Sequence, residues 1–521
     1  MEGSGFWRLA VPEGARRTWL IGPNGRATFM LGLNTVMRDT RRDGLSRCHG
    51  IGAYIGRREA SAAAHTEWAR LSSGVSGGFT VARPYGFNSV GAFSEENDFD
   101  GSGGDSYMIR PVEAGGAGAP YAVVLSVAPR GEDRALKDEQ GAVLTSGFSG
   151  ARIGDPFNPA FLADLDALVE REVVARRDDP RLQMWFAGNE IGVFDVAGHG
   201  GGGVRDFRRW LWSDPPAGSG IDRVLCARHA LAAFLRDRYA GSVAGLNAVW
   251  GTAYPDFAAM ADAGPRPVPY VHDANAGCRQ DLQRFVHDRL LPEWVRAISV
   301  RVRHADPNHL IASPRMAIAT PRAFRFWSGR TEPDPDRWAD TRGNRLPTGS
   351  ATVRYSPLDL LGRDGLSGFD LVAINAYTGA PRFAAAWFTH GLNKIHNESS
   401  LPVLISEFGI RARIDGWSNR GGAGAFVPHT DSAEDQLQRG RRYRSQIEQF
   451  IEFPFLVGAS WHAWSDRFMP TDRSLQINLG LVQCTDPARD MRAGERWQPA
   501  DDLIADTNQT ILQRIGASTG I

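Results

Sequence analysis

Two glutamates stand where carboxyl groups can do chemistry. Glu190 closes the apolar run Leu182–Glu190 (LQMWFAGNE), and Glu407 lies near the end of Pro402–Phe408 (PVLISEF). An ionisable side chain at the end of an apolar strand is costly unless it is solvated or paired. Two such carboxyl groups facing each other at about 5–5.5 Å, one protonated and one ionised, suit the cleavage of a glycosidic bond by double displacement. The plainer alternative for either glutamate alone is an ordinary salt bridge.

Eight β-rich runs are positioned to carry this pair. They are Ala27–Val36, Phe87–Ser94, Tyr121–Val127, Leu182–Glu190, Leu310–Arg315, Phe369–Tyr377, Pro402–Phe408 and Phe455–Trp464. Most read as near-continuous apolar stretches, as parallel strands covered on both faces do. Helical periodicity fills several gaps, at Pro159–Arg177, Ile221–Tyr239 and Gln280–His304. The pattern predicts an α/β fold, a (β/α)8 TIM barrel with right-handed crossovers and long βα loops. A short N-terminal β-hairpin turns on Pro23-Asn24-Gly25. One domain over 1–521 is expected, its barrel core over about 27–485 and a C-terminal tail over 486–521. An open doubly wound sheet would want a glycine-rich phosphate turn after its first strand, where LGLNTVMRDT stands instead. Strands four and seven lie across such a barrel from one another, so Glu190 and Glu407 can face the same substrate at the C-terminal mouth. Long Gly-, Asp- and Arg-rich connections at 97–118, 130–154, 198–220, 331–357 and 410–431 mostly follow strand ends, where functional loops lie.

Asn189-Glu190 closing strand four, with Glu407 closing strand seven, resembles the clan A retaining glycoside hydrolases. Pro84–Val90 (PYGFNSV), the entry segment TWLIGPNGRATFMLGLN and Asp155–Phe161 resemble the family 50 agarases, whereas Phe234–Phe257 is similar to the family 42 β-galactosidases. The resemblance implies Glu190 as acid/base and Glu407 as nucleophile. It gives Asn189 to the sugar 2-hydroxyl, Tyr377 to the nucleophile, and Trp461 and Trp464 to the floor of the sugar site. Alternate residues of a strand point opposite ways, so one of these two Trp is open to an outer-layer role. Asn34 and Asn88 are placed to bind sugar hydroxyls or, alternatively, to bond loop backbone. Arg315 is placed to reach the site from strand five, and His462 could face either way. The implied substrate is a β-linked galactose-type oligo- or polysaccharide. Family 50 agarases carry a β-sandwich ahead of the barrel, and the first 26 residues do not hold one, so short substrates are expected.

The composition agrees with a carbohydrate partner. Lys+Arg and Asp+Glu both total 59, so there is no basic excess for nucleic acid or an anionic membrane. Fifteen Trp supply flat faces suited to sugar rings, beside their ordinary packing role. No apolar run is long enough to span a membrane, and MEGSGFWRLAVPEGARR has no apolar signal core, which points to a cytoplasmic chain or to a processed one. Cys48, Cys226, Cys278 and Cys484 form no CxxC pair and read as structural thiols. His65 with Glu67, and His272 with Asp273, fall short of three-ligand metal spacing, so no metal and no cofactor is expected. Gly74–Gly78 matches GxSxG but follows a helical stretch rather than a strand, and reads as a Gly/Ser loop; His199 with Gly200–Gly203 reads as a flexible substrate loop. Self-association is left open. The rival classes are a non-catalytic carbohydrate-binding barrel and a clan A glycosidase acting on another sugar.

Overall fold

The computed structural model describes residues 4–34, 85–92, 120–137, 141–144, 152–189, 213, 226–262, 276–318, 368–378, 380–383, 392–393, 395–397, 399–417, 432–463, 466, 477–481, 483 and 497–519. The GxSxG stretch, His199, the two His/acid pairs, Cys48 and Cys484 lie outside them.

The chain begins with a three-stranded antiparallel sheet, β1 (Arg8–Ala10), β2 (Trp19–Ile21) and β3 (Ala27–Thr28). The expected hairpin is β2–β3, with Gly25 at φ 82° in its turn, a conformation that favours glycine. The added strand β1 follows Trp7, which packs with Leu20 into the barrel interior. Thr18 N–H donates to the Pro454 carbonyl at 2.9 Å, which fixes this sheet at the end where the barrel strands begin.

The barrel comprises β4 (Met30–Leu33), β5 (Ser89–Val90), β6 (Tyr121–Val124), β7 (Leu182–Phe186), β8 (Leu310–Ala312), β9 (Met316–Ile318), β10 (Val372–Ala376), β11 (Val403–Phe408) and β12 (Leu456–Trp461). All neighbouring pairs are parallel. β8 and β9 are one barrel strand, broken at Ser313-Pro314-Arg315, because proline has no N–H for a ladder. The ring still closes there. Ser313 N–H donates to Leu371 O at 3.0 Å, and Ser313 Oγ accepts the Ala373 N–H at 3.0 Å. The (β/α)8 barrel expected from the sequence is therefore the fold.

Alternation along the strands sorts the core into two layers. Met184 and Phe186 of β7 face the barrel interior with Met30, Val124, Ala312 and Leu404. Leu182 and Trp185 face the surrounding helices. Each fully buried large apolar side chain contributes about 1.5–3 kcal/mol, so both layers matter.

Trp461 corrects an expectation. It is fully buried in the outer layer, edge-on to Phe408 and Tyr443 with ring centroids 5.4 Å away in each case. β12 carries one residue more than β11 at Val457, since Val403 pairs with Leu456 and Leu404 with Gly458. The shift reverses the alternation, so Val457 faces inward while Ala459 and Trp461 face outward. The indole is therefore core and not the floor of a sugar site.

The helices described are α1 (Pro159–Leu168), α2 (Ala227–Arg238), α3 (Val243–Trp250), α4 (Phe257–Asp262), α5 (Ala276–Phe285), α6 (Leu291–Ala305), α7 (Gln436–Ile451) and α8 (Ala500–Thr519). The single helix expected over 280–304 is interrupted by a π-turn at Val286–Leu290 just before Pro292, which cannot donate within the ladder. The stretch expected as a tail ends in α8. Ile504, Ile511 and Ile515 are buried there, and Tyr443 of α7 donates to Asn508 at 2.6 Å.

Asn88 is the second correction. Its Oδ1 accepts the Leu31 N–H at 2.8 Å, and its Nδ2 donates to Thr28 Oγ1 and Phe29 O at 3.1 and 3.0 Å. The amide clamps the entry to β4 instead of facing a sugar. Asn88→Ala strands a buried N–H and should lower stability by about 1–3 kcal/mol, read by urea denaturation, while KM stays unchanged.

Candidate active site

The site is built around an extra residue in β11. Against β10, Ile405 pairs with Ile374 and Glu407 with the next residue, Asn375; against β12, Ile405 pairs with Ala459 and Phe408 with Trp461. β11 thus carries one residue more than either neighbour across Ser406–Glu407. A bulge of this kind re-aims a side chain. Here it delivers Glu407 to partners on three other strands. The backbone after the bulge runs close to β12: a Cβ on Gly409 would strike the His462 carbonyl, and His462 N–H donates to Phe408 O at 2.8 Å.

Glu407 is buried, and both carboxylate oxygens are engaged. Arg315 Nη2 donates to Oε2 at 2.7 Å, and the Tyr377 hydroxyl donates to Oε1. The Arg315 side chain is fully buried, so this is a desolvated, charge-assisted contact. Both donors favour the ionised carboxylate. His462 Nδ1 stands 3.9 Å from Oε1. The imidazole therefore faces Glu407, resolving the orientation that the sequence left open.

Amides knit the strand ends together. Asn375 Nδ2 donates to Asn189 Oδ1 at 3.1 Å, and Ser406 Oγ donates to Asn375 Oδ1 at 2.8 Å. Asn34 Nδ2 donates to Ser406 O at 3.1 Å. Arg315 Nη2 reaches the same carbonyl at 2.8 Å. Gly91 leaves room for Asn34, whose Oδ1 a Cβ there would strike. The structure thus gathers Asn34, Asn189, Tyr377 and Glu407 from the sequence-predicted set, adds Asn375, Ser406 and His462, and gives Arg315 a definite partner. Asn375 lies two residues before Tyr377, and Arg315 is a charge in an apolar strand end; both signals were present in the sequence. Glu190 and Trp464 lie outside the described residues.

Behind His462, the chain is tied down by Asp466. Its carboxylate accepts from Asn478 Nδ2 and the Gly480 N–H at 2.9 and 2.7 Å, and from Trp497 Nε1 at 2.7 Å. Burial pushes Asp466 up to about 7, with the Arg439 charge and these donors working the other way. A carboxyl raised on folding contributes stability that is complete below its unfolded value and is lost as pH rises through about 7. Asp466→Asn should therefore flatten the fall in stability between about pH 4 and 7, measured by urea midpoints across that range. An unchanged slope would contradict the assignment.

The arrangement is a barrel-rim site with one buried, doubly held carboxylate. Comparison with known proteins finds the same barrel fold in solved structures. No family model matches the chain. Beta-agarase A of Vibrio sp. (strain JT0107) is 27% identical over 264 residues, half of this chain and 21% of that protein. The crystal structure of the agarase AgWH50C superposes with a TM-score of 0.59 at 16% identity, over 98% of this chain and 66% of that one. A β-galactosidase from the haloarchaeon Halorubrum lacusprofundi gives 0.50 at 14% identity, over 92% and 58%. The chain therefore spans about a fifth of the curated relative and under two thirds of each of these structures' chains. The structural likenesses show a shared fold, and the chain resembles the family 50 agarases and family 42 β-galactosidases, as its motifs imply.

The outward placement of Trp461 has a direct test. Trp461→Phe should lower stability by about 1–3 kcal/mol through lost packing and leave KM unchanged. A large rise in KM without a stability loss would restore the indole to the sugar site.

Proposed function

We propose that this chain is a retaining glycoside hydrolase acting on β-linked galactose-type sugars, exo-acting or on short oligosaccharides. The observation that carries the reading is the buried Glu407 carboxylate, held by Tyr377 on one oxygen and Arg315 on the other. Its placement at the end of a barrel strand and the likeness to an agarase barrel support it.

In this reading Glu407 attacks the anomeric carbon while Glu190 protonates the departing oxygen. A covalent glycosyl-enzyme forms. Glu190 then takes a proton from water, whose oxygen attacks the same carbon and returns the electron pair to Glu407. Asn189, oriented by Asn375, is directed to the 2-hydroxyl, where a hydrogen bond strengthens as positive charge develops on the ring.

Glu407→Ala should lose activity by at least about 10⁴-fold, and azide should restore turnover and yield a glycosyl azide of inverted configuration. Glu190→Gln should lower kcat/KM for natural substrates by about 10²–10⁴-fold and spare dinitrophenyl glycosides. It should also remove the basic limb of the bell-shaped pH profile. His462 faces Glu407 too, so the acidic limb is assigned by repeating the profile in His462→Asn. Rescue with inversion in Glu190→Ala instead would exchange the two roles. A wild-type protein that binds galactan oligosaccharides in calorimetry but hydrolyses none would mark a carbohydrate-binding barrel.

A further inference from the structure

Arg315 comes from the broken strand β8–β9, and the break gives it an unusual reach. Its backbone N–H donates to Gly188 O at 2.9 Å, which ties it to the end of β7 beside Asn189. Its guanidinium lies 5.5 Å from the Phe186 ring and crosses to β11. There Nη2 is shared between Ser406 O at 2.8 Å and Glu407 Oε2 at 2.7 Å. The guanidinium is thus anchored on a backbone carbonyl, a partner whose charge does not change during reaction.

We propose that Arg315 is a positioning residue that acts mainly on the second half of the reaction, the release of the sugar from Glu407. This rests on the hydrolase reading above. In the first step a Glu407 oxygen gives an electron pair to the anomeric carbon, the bond to the leaving oxygen breaks, and that oxygen takes the proton of Glu190. The carboxylate becomes an ester, and its bond to Arg315 loses the charge that made it strong. In the second step water attacks the anomeric carbon, its proton passes to Glu190, and the pair in the ester bond returns to Glu407. Arg315, still held by Ser406 O, meets that returning charge already in place. A donor fixed in advance, where charge develops, costs no reorganisation at the moment of reaction.

The guanidinium therefore makes Glu407 a better leaving group and a weaker nucleophile, with opposite effects on the two steps. Tyr377 is neutral, and His462 is farther away and charged only when protonated. Arginine keeps its charge throughout.

The test uses 2,4-dinitrophenyl β-galactoside, whose first step is fast enough for the second to limit kcat. In Arg315→Gln, kcat should fall about 10²-fold. KM should fall with it, kcat/KM should change far less, and a sugar adduct should build up in the intact mass spectrum at steady state. Arg315→Lys, which keeps a cation, should recover part of kcat and show a smaller split of the same sign. Should the Gln variant fail to fold by its melting transition, the Lys variant decides alone. Parallel loss of kcat and kcat/KM without adduct, in folded protein, overturns the proposal and leaves Arg315 a merely structural brace. Labelling with a panel of 2,4-dinitrophenyl 2-deoxy-2-fluoro β-glycosides separates the two layers of inference. Wild-type protein that takes no label from any of them sinks the hydrolase reading and this proposal together. Wild-type protein that is labelled, beside an Arg315→Gln adduct that decays as fast as the wild-type one, sinks only the role of Arg315.

Discussion

Taking a carboxylate out of water at the end of an apolar strand carries a desolvation cost of several kcal/mol, and Glu407 has to meet that cost in the folded protein. The contacts that meet it are specific. Arg315 supplies an opposite charge at 2.7 Å, and Tyr377 supplies a hydroxyl on the other oxygen. Neither donor is near Glu407 in sequence, so the carboxylate is stable only when β8–β9, β10 and β11 are all in register. The reverse also holds. Buried without Glu407, the Arg315 charge would face the same penalty, so the pair ties the closing strands of the barrel to one another.

Two local irregularities make that pair possible, and each is compensated by a short polar side chain. The bulge in β11 turns Glu407 toward its partners but leaves the Ser406 carbonyl outside the regular ladder; Asn34 and Arg315 donate to it. The break at Pro314 frees Arg315 to cross the mouth but interrupts pairing with β10; Ser313 Oγ takes the Ala373 N–H instead. The remaining amides form a chain, Ser406 to Asn375 to Asn189, that links the Glu407 strand to the strand that leads into Glu190. Hydrogen bonds strung together in a buried setting reinforce one another and rigidify what they span. The strand ends can therefore hold their geometry at a rim where the connecting loops are long.

The sequence carried the barrel plainly because parallel strands are covered on both faces and so appear as apolar runs between helical stretches. Eight of these matched the eight barrel strands. Roles that depend on which way a side chain turns were harder to read. Trp461 is an aromatic near the end of β12, and simple alternation from the inward Val457 would turn it into the barrel; the extra residue at Val457 shifts the register and turns it to the helices instead. Asn88 has the composition of a sugar-binding residue, but its amide meets three groups at residues 28–31. Arg315 and His462 were visible as polar residues in apolar settings, while their partners depended on a strand break and a bulge that one-dimensional periodicity does not register. The final helix was missed for a different reason. Its apolar positions, Ile504, Ile511 and Ile515, are sparse and sit among Asp, Thr and Asn, so its burial comes from contact with α7 rather than from strong amphipathic patterning.

The distribution of charge bears on what such a site can accept. Lys+Arg and Asp+Glu are equal over the chain, so its formal net charge gives no overall pull on an ionic ligand. At Glu407 the balance repeats on a small scale, where the guanidinium and the carboxylate at 2.7 Å form an ion pair. The guanidinium is already committed, through Nη2, to the carboxylate and a backbone carbonyl. Displacing it would expose Glu407 to the full penalty of burial. Under the proposed function, selection among sugars would then fall to neutral donors and acceptors at the strand ends, the amides of Asn34 and Asn189 among them. Such groups discriminate between hydroxyl configurations on an uncharged ring, because a hydroxyl in the wrong place leaves a buried polar atom unpaired. The same pairing that meets the burial cost of Glu407 would thus suit the proposed site to neutral sugars.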